Sequence, residues 1–152
     1  MDAASPADRG TVDTRLVEYA LVALPRAAGV APVLDAVADI VRAGAVRLLD
    51  SAVVALDDRG AVTIDELAAD DVERVGGSEP PGGMLLSRRD LELIAEAVPP
   101  GELGLVLMME DRWAVPLAEA AERAGGRFLA GERIPPARLA AILGDRPWEE
   151  ER

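Results

Sequence analysis

The chain has 152 residues, half of them apolar but only 3% aromatic, and carries a formal net charge of −12. Its length suits one domain whose core must be built from Leu, Val, Ile and Ala. Such an acidic surface opposes phosphate backbones and anionic lipid, so neither nucleic acid nor a membrane surface is an expected partner.

All 16 basic residues are Arg, and Lys, His, Cys, Asn and Gln are absent, a pattern of GC-rich coding more than of a selected site. The absences still restrict chemistry. Without His there is no imidazole base and no Ser-His-Asp triad. Without Cys there is no thiol nucleophile, disulfide, zinc finger or iron–sulfur cluster. Without Lys there is no Schiff base for PLP. A metal would have to bind through carboxylates and carbonyls alone, and no cofactor is expected. The N-terminus (MDAASPADRGTVD) lacks the apolar stretch of a signal peptide, and no apolar run approaches the roughly 20 residues of a spanning helix. The expectation is a soluble cytoplasmic protein.

Residues 1–14 are small and polar and are expected to form a disordered tail ahead of a single domain over 15–143, with an acidic tail over 144–152. Residues 15–24 (RLVEYALVAL) read as a strand stopped by Pro25. Pro32 suits the first turn of a helix to about Ala43, with Leu34, Val37, Ile40 and Val41 as its apolar stripe and Gly44 as its stop. Residues 47–56 predict a second strand, interrupted by Asp50-Ser51. Asp57-Asp58-Arg59-Gly60 is a tight turn into a hairpin strand over 61–65. Acidic residues 66–75 suit a short helix, and GGSEPPGG (76–83) a loop. Ser87 with Asp90 three residues on gives a capping-box start to a helix striped by Leu91, Ile94, Ala95 and Val98.

Residues 101–134 form the best-specified unit. Residues 103–109 are apolar on both alternating faces, as in a strand buried on two sides. Asp111 is placed to cap the next helix, whose Val115, Leu117, Ala118, Ala121 and Ala124 suit close packing on a sheet. Gly125-Gly126 ends it, residues 127–133 predict a last strand, and 137–143 a short final helix. With 65–101 set aside as an insertion, the order is strand, helix, strand, strand, helix, strand. That predicts an α+β protein of ferredoxin-like split βαβ plan, mainly antiparallel, with an added hairpin strand and an inserted helix.

Several segments resemble an uncharacterised actinobacterial family, known as a domain of unknown function and related to heat-induced or general-stress proteins. They are Val17-Glu18-Tyr19-Ala20-Leu21-Val22, the strand over 46–56 with Gly60-Ala61-Val62, Leu86-Ser87 before Asp90-Leu91, and Glu110–Trp113 with 123–126 and 132–135. Leu56 stands where related members carry a basic residue. The resemblance implies a ferredoxin-like fold and no assigned reaction.

The sharpest polar constellation is Glu110-Asp111-Arg112-Trp113, where a buried strand gives way to a helix. Glu110 suits a general base or metal ligand, Arg112 an anion clamp and Trp113 a pocket wall; Glu18, Asp50 and Glu132-Arg133 lie on other predicted strands and could converge there. The competing reading makes Asp111 a cap, pairs Arg112 with a neighbouring acid and uses Trp113 as core edge. Asp50 inside an apolar strand marks a bulge, an edge, or a partner for Arg47 or Arg133. The turn from Asp57 to Glu66 mimics the end of a calcium loop, but Ala55 and Arg59 fall where two ligands belong. GGSEPPGG has two prolines where a phosphate loop needs N–H donors. No residue is assigned as catalytic and none as a metal ligand.

The two-faced strand raises one question above the rest. A ferredoxin-like sheet carries its main helices on one side, so the second face needs cover, either from the 87–98 and 137–143 helices or from a second subunit. The expectation is a non-enzymatic protein that forms a homodimer through the sheet face and acts by binding, in a stress context. The alternative is a small-molecule-binding or hydrolytic enzyme using Glu110, Asp111 and Arg112 beside Asp50.

Overall fold

A computed structural model describes residues 12–76, 85–129, 131 and 134–143. Most of the expected tails, the bulk of the 76–83 loop and Glu132-Arg133 lie outside them. The elements in chain order are a 3₁₀ turn at Thr14–Leu16, β1 (Val17–Pro25), α1 (Ala31–Arg42), β2 (Val46–Leu56), β3 (Val62–Asp65), α2 (Ala69–Arg74), α3 (Arg88–Ala95), β4 (Glu102–Asp111), a second 3₁₀ turn at Arg112–Ala114, α4 (Val115–Arg123) and α5 (Pro136–Leu143).

The four strands form one antiparallel sheet in the order β1-β4-β2-β3. Because β1 and β2 both run antiparallel to β4, they are parallel to one another. The β1–α1–β2 crossover is therefore a split βαβ unit with β4 inserted through its middle. Its central place explains the sequence of β4, in which Gly104, Leu105, Val106, Leu107 and Glu110 are all buried.

Each face of the sheet is covered over its centre by the chain's own helices. On one, Leu105 and Leu107 pack with Leu34 and Val37 of α1 and with Leu67 and Val75 around α2. On the other, Val106, Ala52 and Val54 pack with Leu91 and Ala95 of α3 and with Val98 just beyond it. The inserted helix is thus what covers the second face. The final helix does not share that task, since its described side chains are exposed.

Local chemistry places these elements. Pro32 sits in the first turn of α1, and backbone bonds from Gly44 to Val41 and from Ala45 to Ile40 end it. The buried stripe of α1 is Leu34, Val37 and Ala38, with Val41 packed beside them. Ile40 is 46% exposed, one position round the helix from where it was expected. In the hairpin, Asp57 Oδ1 accepts the Arg59 and Ala61 amides at 2.8 Å each, and Gly60 takes φ +79°. Asp57, which would be the third ligand of a calcium loop, has one oxygen engaged in holding the turn. The Ser87–Asp90 capping box forms as expected, each side chain bonded to the other's backbone N–H at 3.1 Å.

The last quarter of the chain departs from expectation. Arg127–Leu129, the described start of the expected last strand, is irregular and unpaired in the sheet. Helix α4 buries only Ala118; Leu117 is 57% exposed and Ala124 is exposed, so this helix does not lie flat on the sheet. Small residues at helical spacing permit close packing but do not supply the apolar area that drives it.

Gly104 shows how closely α3's end approaches β4. A Cβ there would sit 2.6 Å from Val98 Cγ2, 2.9 Å from Val54 Cγ2 and 3.0 Å from Leu21 Cδ1. Two of these belong to stiff β-branched side chains that cannot swing aside. Gly104→Ala is expected to lower stability by about 1–3 kcal/mol in urea titrations; an unchanged midpoint would show that the approach is looser than described.

Candidate functional site

The end of β4 gathers the polar residues singled out in the sequence. Glu110 lies beside Arg47 of β2 and Val17 of β1 in the sheet register, and only 1% of its side chain is exposed. Three donors meet its carboxylate. Arg47 Nη2 lies 3.1 Å from Oε1 and 3.2 Å from Oε2. Arg112 Nη1 approaches Oε1 at 3.2 Å, and the Asp13 amide donates to Oε2 at 2.7 Å. A buried carboxylate is tolerated when paired and hydrogen-bonded, and this one is both. The Arg112 pairing matches the plainer reading of the EDRW turn.

The neighbouring residues face elsewhere. Asp111 ends β4 and precedes the 3₁₀ turn, but its side chain makes no capping bond. The expectation that it caps α4 fails because that turn intervenes; α4 starts instead with Ala114 at its cap position and Pro116 in its first turn. Trp113 anchors by its backbone, donating to the Ala45 carbonyl at 3.1 Å, while its indole is largely exposed rather than filling the core edge.

Asp111 and Trp113 line a hollow of about 300 Å³ together with Arg15, Glu18, Phe128 and neighbouring backbone. Arg15 braces this side of the molecule. Its guanidinium donates to both Asp13 oxygens, at 2.9 and 2.7 Å, and to the Phe128 carbonyl at 2.8 Å. Asp13 also accepts the Arg15 amide, opening the first 3₁₀ turn. The Arg15 hydrogen bond holds the Asp13 carboxyl below the usual aspartate range, and the same bond raises the Arg15 guanidinium.

Asp50 lies apart from these groups. It sits at a bulge between Leu48 and Asp50, as its odd place in an apolar strand suggested. Its oxygens accept the Ser51 amide at 2.8 Å and the Leu85 and Leu86 amides at 2.7 and 2.9 Å. This buried acid therefore holds the lead-in to α3 against the sheet through backbone N–H groups; Arg133, one of the partners considered from sequence, lies outside the described residues.

Of the residues expected to converge, Glu110 meets Arg112, Asp111 shares a hollow with Trp113 and Glu18, and Asp50 joins neither group. Glu132-Arg133 lies outside the described residues. Asp13, Arg15 and Phe128 were not anticipated. Asp13 fell in the expected tail, and its only sequence signal is Asp directly before Thr-Arg-Leu, a capping pattern. Among the described residues no group of three or more Asp or Glu side chains is placed to hold a metal ion, and no helix is long and apolar enough to cross a membrane.

The arrangement defines a small α+β domain with an ion-paired latch at one end of its sheet and a shallow mixed-polarity hollow beside it. The model of a family of unknown function, DUF6325, matches residues 13–150, and the chain belongs to that family. No curated protein and no solved structure matches it.

Two outcomes are expected. Removing the latch carboxylate with Glu110→Ala leaves two guanidinium groups facing each other and costs about 2–4 kcal/mol in chemical denaturation. That is somewhat less than for a fully buried pair, because both arginines reach solvent; a loss below 1 kcal/mol would contradict the latch. The second concerns acid. Asp13 and Asp90 both titrate below their ordinary value, held down by hydrogen bonds from Arg15 and Ser87 respectively. A depressed native value contributes stability that is complete above the unfolded value and is lost as pH falls through the native one. Stability should therefore drop below about pH 4, with a shallower slope in the Asp13→Asn, Asp90→Asn double variant. An identical slope in that variant would assign the acid loss elsewhere.

Proposed function

We infer that this is a non-enzymatic cytoplasmic protein that self-associates and acts by binding. The observation that carries this reading is how its buried acids are used. Glu110 is committed to Arg47, Arg112 and the Asp13 amide, and Asp50 to three backbone amides. A general base or metal ligand needs a carboxylate open to a reacting partner, and the two best-buried candidates are already occupied. The order β1-β4-β2 agrees with three strands of a ferredoxin-like sheet, and we read the fold as a derivative of that plan with β3 added at one edge. Ferredoxin-like scaffolds host many activities, so the fold does not decide between them. The stress context rests on resemblance alone.

Helix α3 occupies much of the sheet face through which pairing was expected, which leaves the β1 side of that face as its exposed part, with Tyr19 59% exposed. A second reading, of a small-molecule-binding or hydrolytic protein, is favoured by the hollow beside Asp111 and Trp113, whose 300 Å³ lies at the lower end of ligand-site volumes.

The two readings separate in solution. Light scattering at micromolar concentration is expected to give a dimer. Thermal-shift screening against Mg²⁺, Mn²⁺, Ca²⁺ and a metabolite panel is expected to raise the melting temperature little, since bound ligand stabilises in proportion to its occupancy. A strict monomer would sink the self-association reading. A saturable shift accompanied by a change in Trp113 emission, read in a Trp148→Phe background, would favour the hollow.

A further inference from the structure

The two edges of the sheet are unlike. At one end β3 is four residues long and carries Thr63 and Asp65, and a short polar strand gives little purchase to another chain. At the other end β1 runs nine residues, VEYALVALP, in unbroken register with β4. Among the described residues it pairs with β4 alone, so its outer row of N–H and C=O groups has no partner strand. The usual guards of a solvent-facing edge are nearly missing. The strand has no bulge, no basic side chain and one acid, Glu18; its proline, Pro25, stands at the last position.

Resting on the self-association reading above, we propose that the outer edge of β1 pairs antiparallel with β1 of a second copy about a twofold axis at Leu21, joining two sheets into one. A twofold axis perpendicular to the sheet keeps each face on its own side. Val17, Tyr19, Leu21 and Ala23 thus continue the α3 face, and Glu18, Ala20, Val22 and Leu24 the α1 face. Centring on Leu21 uses the full length of the strand and sets large residues against small. Tyr19, 59% exposed, lies opposite the partner's Ala23, also exposed, and Ala20 lies opposite the partner's Val22. Glu18, exposed, falls opposite the partner's Leu24, while Arg26 turns inward to the Leu56 carbonyl of β2 at 2.8 Å and takes no part in the contact. A register centred on Glu18 would set two carboxylates face to face. Each copy carries a net charge of −12, so association works against mutual repulsion and strengthens as salt screens it.

The chain has no cysteine, which makes the axis directly testable. In Leu21→Cys the two sulfurs face each other at the axis, within the Cα separation a disulfide accepts. Mild oxidation is expected to give a linked dimer at least tenfold faster than in Ala23→Cys, whose cysteine faces the partner's Tyr19. Ala23→Lys, at an exposed position where the monomer tolerates it, is expected to raise the dimer dissociation constant at least tenfold with the circular dichroism spectrum unchanged. Added NaCl is expected to lower that constant for the unaltered chain. A dimer in which Leu21→Cys links no faster than Ala23→Cys, or which Ala23→Lys leaves intact, overturns the β1 interface and leaves self-association standing. A monomer at all concentrations overturns both, the edge then being covered by another segment of the chain or by a foreign strand.

Discussion

The structure depends on a strand that has no solvent side. β4 lies between β1 and β2 with Leu105 and Leu107 turned to one face and Val106 to the other, all nearly or wholly buried. A sheet built around such a strand has to be covered twice. Helix α1, within the split βαβ unit, and the residues around α2, after the hairpin, supply the first cover. The second comes from α3, packed on the opposite face. Gly104 is the concession that lets this arrangement close, because any larger residue would push Val98 away from the sheet.

Both buried carboxylates serve that double-sided packing, though by different means. Asp50 uses a bulge to turn its side chain toward the Leu85 and Leu86 amides, fixing where α3 begins. Glu110 closes the far end of the sheet with two arginines and ties the N-terminal segment to β4 through Asp13. Acids in these places would draw suspicion of catalysis in any fold. Here each is saturated by groups whose positions the fold itself sets, and the exposed polar residues nearby, Asp111 among them, line only a shallow hollow.

The elements that could be read from sequence were those with a local physical signature. The two apolar faces of β4, the capping box at Ser87, the tight turn to Gly60 and the stop at Gly44 each follow from neighbours a few residues apart. What could not be read is tertiary in origin. Ala38 in place of Ile40 is the exception: Leu34, Val37, Ala38 and Val41 keep the i, i+3, i+4, i+7 spacing of one helix face, and the greater apolar bulk of Ile40 outweighed that spacing in the expectation. Residues 127–129 have strand-like composition but are not paired in the sheet, the Phe128 carbonyl accepting instead from the Arg15 guanidinium, and α4 buries Ala118 while leaving Ala120 exposed. Within the candidate site, the Glu110–Arg112 pair was legible as two residues on one turn. Arg47 and Asp13 were not, since they arrive from 63 and 97 residues away.

Closing both faces leaves the edge of β1 as the long backbone surface that the described chain does not satisfy, and any account of what the protein does has to say what happens there. Amide hydrogen exchange followed from low to high micromolar concentration tests this most directly. If each face is closed from within and the edge is closed by a second copy, β4 amides exchange slowly at every concentration. The outward-facing amides of β1 then pass from fast to slow exchange as concentration rises. Rates in β1 that do not change with concentration would contradict the account.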